Sequence, residues 1–333
     1  MTSRTSTPPF LDADGNVLTD SIAEERRVNL GGVEQYVLLR GRSRTAPLLV
    51  YVHGGPGGSE TPFLRIHNAE LENDFLTVYW DQRGTVKSFD ARLDPAELTI
   101  ARMTADLGEL IDLLLAEFNQ DQVLLVAHSW GTILALEYVA ARPETVAAYI
   151  SISQITNQMA NDTESFLWAL AEAQARGDAK AIATLETLGP PSYTAKEQMT
   201  RDRYLNRLGG IFVEPQSNLD LLWSVLALSE FAWPDFIAFL RGNAFSLEAL
   251  CPEQQDYDAY KRHPKIEVPI ILMLGRSDRV VSPRLGAEYL ATLEVPDKEL
   301  IWFEKSAHMV PFEEPEKFNA AVRQIARQVG LFE

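Results

Sequence analysis

"VLLVAHSWGTILALEYV", residues 123–139, joins two kinds of periodicity. Val123 to His128 is a short, nearly continuous apolar run of strand length, and from Ile133 onward apolar residues recur at helical spacing. Ser129 stands at the join, followed by Trp130 and Gly131. A serine there reads either as a helix N-cap or as a nucleophile raised on a strained strand-to-helix turn. A-H-S-W-G is one change from G-x-S-x-G, the nucleophile elbow, with Ala127 in the first glycine's place. The elbow needs small residues two before and two after the serine, because larger side chains would collide with the neighbouring strand and helix. Alanine is the least damaging replacement.

On either side of this stretch, strands and helices alternate. "RRVNL", Gly31-Gly32 and "VEQYVLLR" read as a β-hairpin. "PLLVYVH" (47–53) and "FLTVYW" (75–80) are apolar strands with a helical stretch near 60–72 between them. Residues 99–118 place Ile100, Met103, Leu107, Leu110, Ile111, Leu114, Leu115 and Phe118 on one helix face, with Thr99 as N-cap. After the strand at 123–128 come a helix at 131–141 and a strand at 146–153. Strands near 269–274 and 298–304 and helices near 283–292 and 315–328 complete the series. This alternation predicts an α/β fold, a mostly parallel sheet with helices on both faces.

Residues 155–264 break the rhythm. "ESFLWALAEAQARG", "LDLLWSVLALSEF" and "PDFIAFLRG" are helical and aromatic-rich, with no convincing strand. The expected organisation is an N-terminal arm (1–24), a core (25–154 and 265–333) and a helical cap (155–264) over the sheet's C-terminal edge. In the arm, "DADGN" reads as a turn: Gly15 comes too early for a calcium loop and no ligand glutamate follows.

The 333 residues carry 47 Asp and Glu against 30 Lys and Arg, a formal net charge of −17. A polyanion would be repelled, so nucleic acid and anionic membranes are poor partners; a small molecule or short peptide is the expected one. Cys251 is the single cysteine, so no internal disulfide forms, which fits a reducing cytoplasm. "MTSRTSTPPF" lacks the apolar core of a secretory signal, and no apolar run approaches the ~18 residues of a membrane span.

"VYVHGGPGGSE" (50–60) ends a strand at His53 and leads through glycine and proline into a helix. It lacks the lysine and spacing of a P-loop and is not G-x-G-x-x-G. It reads better as an oxyanion loop: Gly55 brings a bare N–H to a substrate oxygen, and the N–H of Trp130 supplies the second donor. His53 precedes the turn and is expected to hydrogen-bond the loop. The base must come later in the chain. His67 sits in an early helix, His128 adjoins the serine and points away, and His263 lies in "KRHPK". That leaves His308, in "FEKSAHMVPFEEP" after the last strand. In "ILMLGRSDRVVSP", Asp278 follows an apolar strand by a short turn. Singly, Asp278 reads equally as a turn residue and His308 as a loop residue. Together, the order Ser129, Asp278, His308 is that of an α/β-hydrolase.

HGGPGG, "WDQRG" (80–84), HSWG, GRSD and "SAHMVPFEEP" together resemble the prolyl iminopeptidase family of α/β-hydrolases, over roughly 25–155 and 265–330. The resemblance implies an eight-stranded, mostly parallel sheet with an inserted cap. It further implies Ser129 as nucleophile, His308 as base, Asp278 as acid, Gly55 and Trp130 as oxyanion donors, and no metal or cofactor. Asp81 and Arg83 would pair to hold the loops around the elbow. The chain departs from the family at Ala127, and at Val86, which replaces the second glycine of D-Q-R-G-x-G-x-S. The family's W-E pattern, whose glutamates bind the substrate amine, has no match in the cap; Glu230 and Glu214 are candidates by type and location. Three readings follow: an aminopeptidase releasing a small N-terminal residue, an esterase, lactonase or amidase on a small apolar substrate, and a non-catalytic binding protein of the same fold.

Overall fold

The computed structural model describes residues 5–214 and 218–332. Its strands are β1 (Ile22–Leu30), β2 (Val33–Gly41), β3 (Leu48–Val52), β4 (Leu76–Trp80), β5 (Val123–His128), β6 (Val146–Ile152), β7 (Ile270–Gly275) and β8 (Lys298–Phe303). They form one eight-stranded sheet in the order β1-β2-β4-β3-β5-β6-β7-β8. The hairpin β1–β2 and the pair β2–β4 are antiparallel; every pairing from β4 through β3 and β5 to β8 is parallel. β1 starts at Ile22, so the sheet begins inside the stretch expected to be arm. The first four residues of that arm lie outside the described residues.

The helices are α1 (Thr61–His67), α2 (Ile100–Phe118), α3 (Gly131–Ala141), α4 (Gln158–Ala175), α5 (Ala179–Leu188), α6 (Ala195–Leu208), α7 (Asn218–Leu226), α8 (Trp233–Gln255), α9 (Ala259–Arg262), α10 (Pro283–Thr292), α11 (Val310–Glu313) and α12 (Pro315–Gln328). α2 shows why the pattern was readable. Met103, Leu107, Leu110 and Ile111 are buried in register, and Thr99 Oγ1 accepts the Arg102 N–H at 3.0 Å. Each such side chain contributes about 1.5–3 kcal/mol by leaving water.

Helices α2, α3 and α10 pack on one face of the sheet and α1 and α12 on the other. β3 and β5, at the centre, are buried on both faces and so carry no alternation. Helices α4 to α9 lie between β6 and β7, and α4, α5 and α6 enclose a small apolar cluster of their own around Phe166, Leu185 and Leu205. In the arm, Asp12 Oδ1 accepts the N–H groups of Asp14 and Asn16, closing the turn read at "DADGN". Among the described residues no helix is long and apolar enough to cross a membrane.

Candidate active site

Ser129 occupies the tight turn from β5 into α3 with φ of 51°. A non-glycine residue is held there only when its surroundings fix it. The Ser129 N–H donates to Ile152 O at 3.0 Å, and the Ser129 carbonyl accepts both the N–H and the hydroxyl of Thr132. The need for a small residue at 131 is explicit: a Cβ on Gly131 would fall 2.6 Å from the His53 carbonyl oxygen and nearer still to that of Val52. Ala127, in the family's glycine position, pairs with Val52 on one side and Ser151 on the other.

Two further loops leave neighbouring strand ends and are tied together, Ser277 N–H donating to Ser306 O at 3.0 Å. The first carries Asp278, after β7. Its Oδ1 accepts the N–H groups of Val280 (2.8 Å) and Val281 (2.9 Å). Its Oδ2 accepts the Ser153 hydroxyl at 2.7 Å and meets Nδ1 of His308, from the loop after β8, at 2.9 Å. A carboxylate only accepts, so Nδ1 carries hydrogen and a neutral ring has a bare Nε2. The His308 N–H donates to Ile211 O at 3.0 Å, a contact from the inserted helical block. The ring of His128, which precedes Ser129, lies 4.7 Å from that of His308.

The loop between β3 and α1 brings up the remaining groups. A Cβ on Gly54 would stand 3.1 Å from Ser129 Cβ, so this loop borders the serine. His53 lies against it: Nδ1 donates to Gly54 O at 2.8 Å, while Nε2 accepts the Gln82 N–H at 3.1 Å. Burial pushes His53 down to about 4, so it is a neutral brace, as its place before the turn suggested. Gln82 completes the brace, donating to His53 O and accepting Nε1–H of Trp130 at 3.1 Å. Among the described residues no backbone acceptor takes the N–H of Gly55 or Trp130. That of Trp130 also sits at the positive end of α3.

The expected Asp81–Arg83 pair does not form. Arg83 turns away to Asp106, both contacts at 2.9 Å and both side chains fully buried, and to Glu97 at 3.0 Å. Asp81 accepts the Lys87 N–H at 3.0 Å, and burial pushes its carboxyl up to about 6. Two nearby residues on one turn point to opposite sides, which is why motif adjacency misled. Val86, in the family's glycine position, has φ of 36°, a conformation a β-branched residue rarely adopts.

A cavity of about 400 Å³ lies between α1 and helices α7 and α8. Phe63, Val86, Phe231, Phe236 and Phe239 give it apolar walls, Ser59 comes from the glycine loop, and Asp235 is its carboxylate. Glu230 does not line this cavity. It is 1% exposed, ion-paired to Arg65 at 3.1 Å and bonded by the Thr7 hydroxyl at 2.9 Å. Glu214 lines a different cavity, with Phe63, His67, Phe312 and Glu313. Asp235 caps α8, its Oδ2 accepting the Ala232 N–H at 2.9 Å.

Residues 49–321 match the alpha/beta hydrolase family. The chain belongs to that family. Among curated proteins it is 31% identical to the probable aminopeptidase YbaC of Bacillus subtilis, over 92% of this chain and 97% of that one. It is 25% identical to the proline iminopeptidase of Saccharolobus solfataricus, over 92% and 93% of the two chains. Among solved structures, the proline iminopeptidase of Mycobacterium smegmatis superposes with a TM-score of 0.66 at 17% identity, covering 92% of this chain and 98% of that one. At that identity the superposition speaks for the fold alone. The chain is a prolyl iminopeptidase-like α/β-hydrolase.

Three residues, two around these loops and one on the wall of the neighbouring cavity, have no signal in the sequence that marks them. Ser153 ends the strand expected over 146–153, and nothing in "YISIS" foretells its bond to Asp278. Asp235, in "WPDF", carries the signature of a helix start and serves as one, which hid its place at the cavity wall. Glu60, buried at the end of the glycine loop, has no sequence neighbour to betray its partner, His128.

Proposed function

We propose that this chain is a serine hydrolase working through an acyl-enzyme, with Ser129 as nucleophile, His308 as base and Asp278 as the acid that orients it. The observation that carries this reading is the Asp278–His308 contact at 2.9 Å, with a serine held at φ of 51° directly after His128, whose ring lies 4.7 Å from that of His308. Ser129 Oγ attacks the substrate carbonyl as its proton passes to His308 Nε2, and Asp278 stabilises the resulting imidazolium. The oxyanion is met by the N–H groups of Gly55 and Trp130. The leaving group departs with the proton from His308. Water, deprotonated by the same nitrogen, then attacks the ester carbon, and His308 returns that proton to Ser129 Oγ as the acyl–oxygen bond breaks and the carboxylic acid product leaves. Residues 155–264 serve as the cap, since Ile211 contacts His308 and Asn243 Nδ2 donates to Pro56 O at 2.8 Å.

The activity this reading favours is an aminopeptidase of prolyl iminopeptidase type acting in the cytoplasm, supported by full-length relatives named for aminopeptidase and proline iminopeptidase activity. The substrate's ammonium would meet Asp235 in the cavity by the glycine loop. The apolar walls of that cavity favour a second reading, an esterase or lactonase for a small apolar acyl group. A fluorophosphonate probe should label the wild type and leave Ser129→Ala unlabelled. A panel of proline and alanine anilides, their N-acetyl forms, short acyl esters and lactones then separates the two activities. Equal labelling of wild type and Ser129→Ala would remove the serine mechanism.

A further inference from the structure

We propose that Glu60 and His128 form a buried positioning pair that holds the main chain of His308 so that its ring faces Ser129. The proposal rests on the reading of His308 as the base. His128 Nδ1 stands 2.5 Å from Glu60 Oε1, and His128 Nε2 stands 2.9 Å from the His308 carbonyl oxygen. The Tyr51 hydroxyl donates to Glu60 Oε2 at 2.9 Å, fixing the carboxylate from its other side. Glu60 is 7% exposed and His128 1%.

Chemistry fixes one proton in this chain. A carbonyl oxygen only accepts, so His128 Nε2 must carry hydrogen and donate it to His308. Glu60 secures the ring from the other side by occupying Nδ1. The groups facing the pair are Tyr51, His308, Asp278 and His53; burial opposes both charges, yet each partner's charge outweighs it, pushing His128 up and Glu60 down. His308 is thereby fixed at three points: its Nδ1 by Asp278, its N–H by Ile211 and its carbonyl by His128. Only the last comes from the strand end that carries the nucleophile, His128 closing β5 just before Ser129. It therefore sets the base relative to Ser129, whereas Asp278 sets the ring's rotation and tautomer.

The test compares two apolar variants, His128→Phe and Glu60→Leu, with two conservative ones, His128→Gln and Glu60→Gln. In Glu60→Gln the new side chain can accept from Tyr51 with its carbonyl and donate its amide to His128 Nδ1, leaving Nε2–H in place. For variants whose melting shows a folded state, the apolar pair should lose about 10- to 100-fold in kcat with KM within about threefold, as expected when reacting groups shift by a fraction of an ångström. The glutamine variants should recover to within about fivefold of wild type. A folded His128→Phe with near wild-type kcat would overturn the proposal. Should the apolar variants not fold, histidine 15N NMR of the wild type decides. An Nε2–H on His128 that persists through neutral pH is expected, and a bare Nε2 overturns the pair. The triad reading fails separately, on fluorophosphonate labelling of Ser129→Ala.

Discussion

Asp278 meets His308 through the same oxygen that accepts the Ser153 hydroxyl, at 2.9 and 2.7 Å, while its other oxygen takes two backbone N–H groups. Four hydrogen bonds leave the carboxylate one orientation. Residues from three separate strand ends thus converge on a single group, so the aim of the carboxylate depends on the sheet as well as on its own loop.

If Asp278 orients His308 as proposed, replacing it by Asn should leave the fold intact and present an amide where the mechanism calls for a carboxylate to stabilise the imidazolium. A loss of about 10⁴ in kcat is expected. Ser153→Ala removes one charge-assisted hydrogen bond that holds Asp278 in place and should cost about 10- to 100-fold, in keeping with a bond to a charged group worth about 1.5–3 kcal/mol. Steady-state kinetics on variants of matched thermal stability check both. A Ser153→Ala loss as large as that of Asp278→Asn would mean that Ser153 does more than orient the acid.

Asp81 gives a pH prediction with a definite sign. Its folded-state value is about 6, above the usual carboxylate value of 3.8, because burial penalises the charge. Between those two values the folded state binds more protons than the unfolded one, so this group costs stability as pH rises and costs most above 6. Asp81→Asn carries no such charge, and its carbonyl can still accept the Lys87 N–H. It should therefore exceed the wild type by about 1–3 kcal/mol at pH 7, with the gap closing as pH falls to about 4. Denaturant melts at the two pH values measure this; a destabilised Asp81→Asn at pH 7 would show that the charge is needed.

The sheet and the elbow were legible because each rests on local rules. Val123–His128 and Gly131–Ala141 emerged at the boundaries read from periodicity, as did the N-cap of Thr99. The order of Ser129, Asp278 and His308 pointed to one edge of the sheet, because loops after parallel strands share an edge. What stayed hidden depended on contacts distant in sequence. Arg83 finds Asp106 and not Asp81 because the turn at 81–84 aims nearby side chains at opposite packing partners. Glu230 looked like a pocket carboxylate because aromatic residues follow it. Its actual surroundings are Arg65 on α1 and Thr7 on the arm, 165 and 223 residues away in the chain.

The place of Glu230 yields the prediction that bears most on substrate choice. An ammonium group entering the cavity of Phe63, Phe231, Phe236 and Phe239 must find a carboxylate there, because an unpaired charge against apolar walls is costly. Asp235 is at that wall, whereas Glu230 is already neutralised by Arg65. Asp235→Asn keeps an oxygen to cap the Ala232 N–H, so it should fold normally. For an aminopeptidase it should lose about 2–5 kcal/mol of transition-state binding toward proline or alanine anilide, while activity on acyl esters stays within a few-fold. Glu230→Gln should behave in the opposite way, costing about 1–3 kcal/mol of folding stability through the broken buried ion pair but leaving the preference for a free amine unchanged. The measurement is kcat/KM for proline anilide, its N-acetyl form and a short ester on both variants, beside their melting curves. If wild type cleaves the N-acetyl form as well as the free amine, and Asp235→Asn changes neither, the cavity selects an apolar acyl group and the esterase reading replaces the aminopeptidase one.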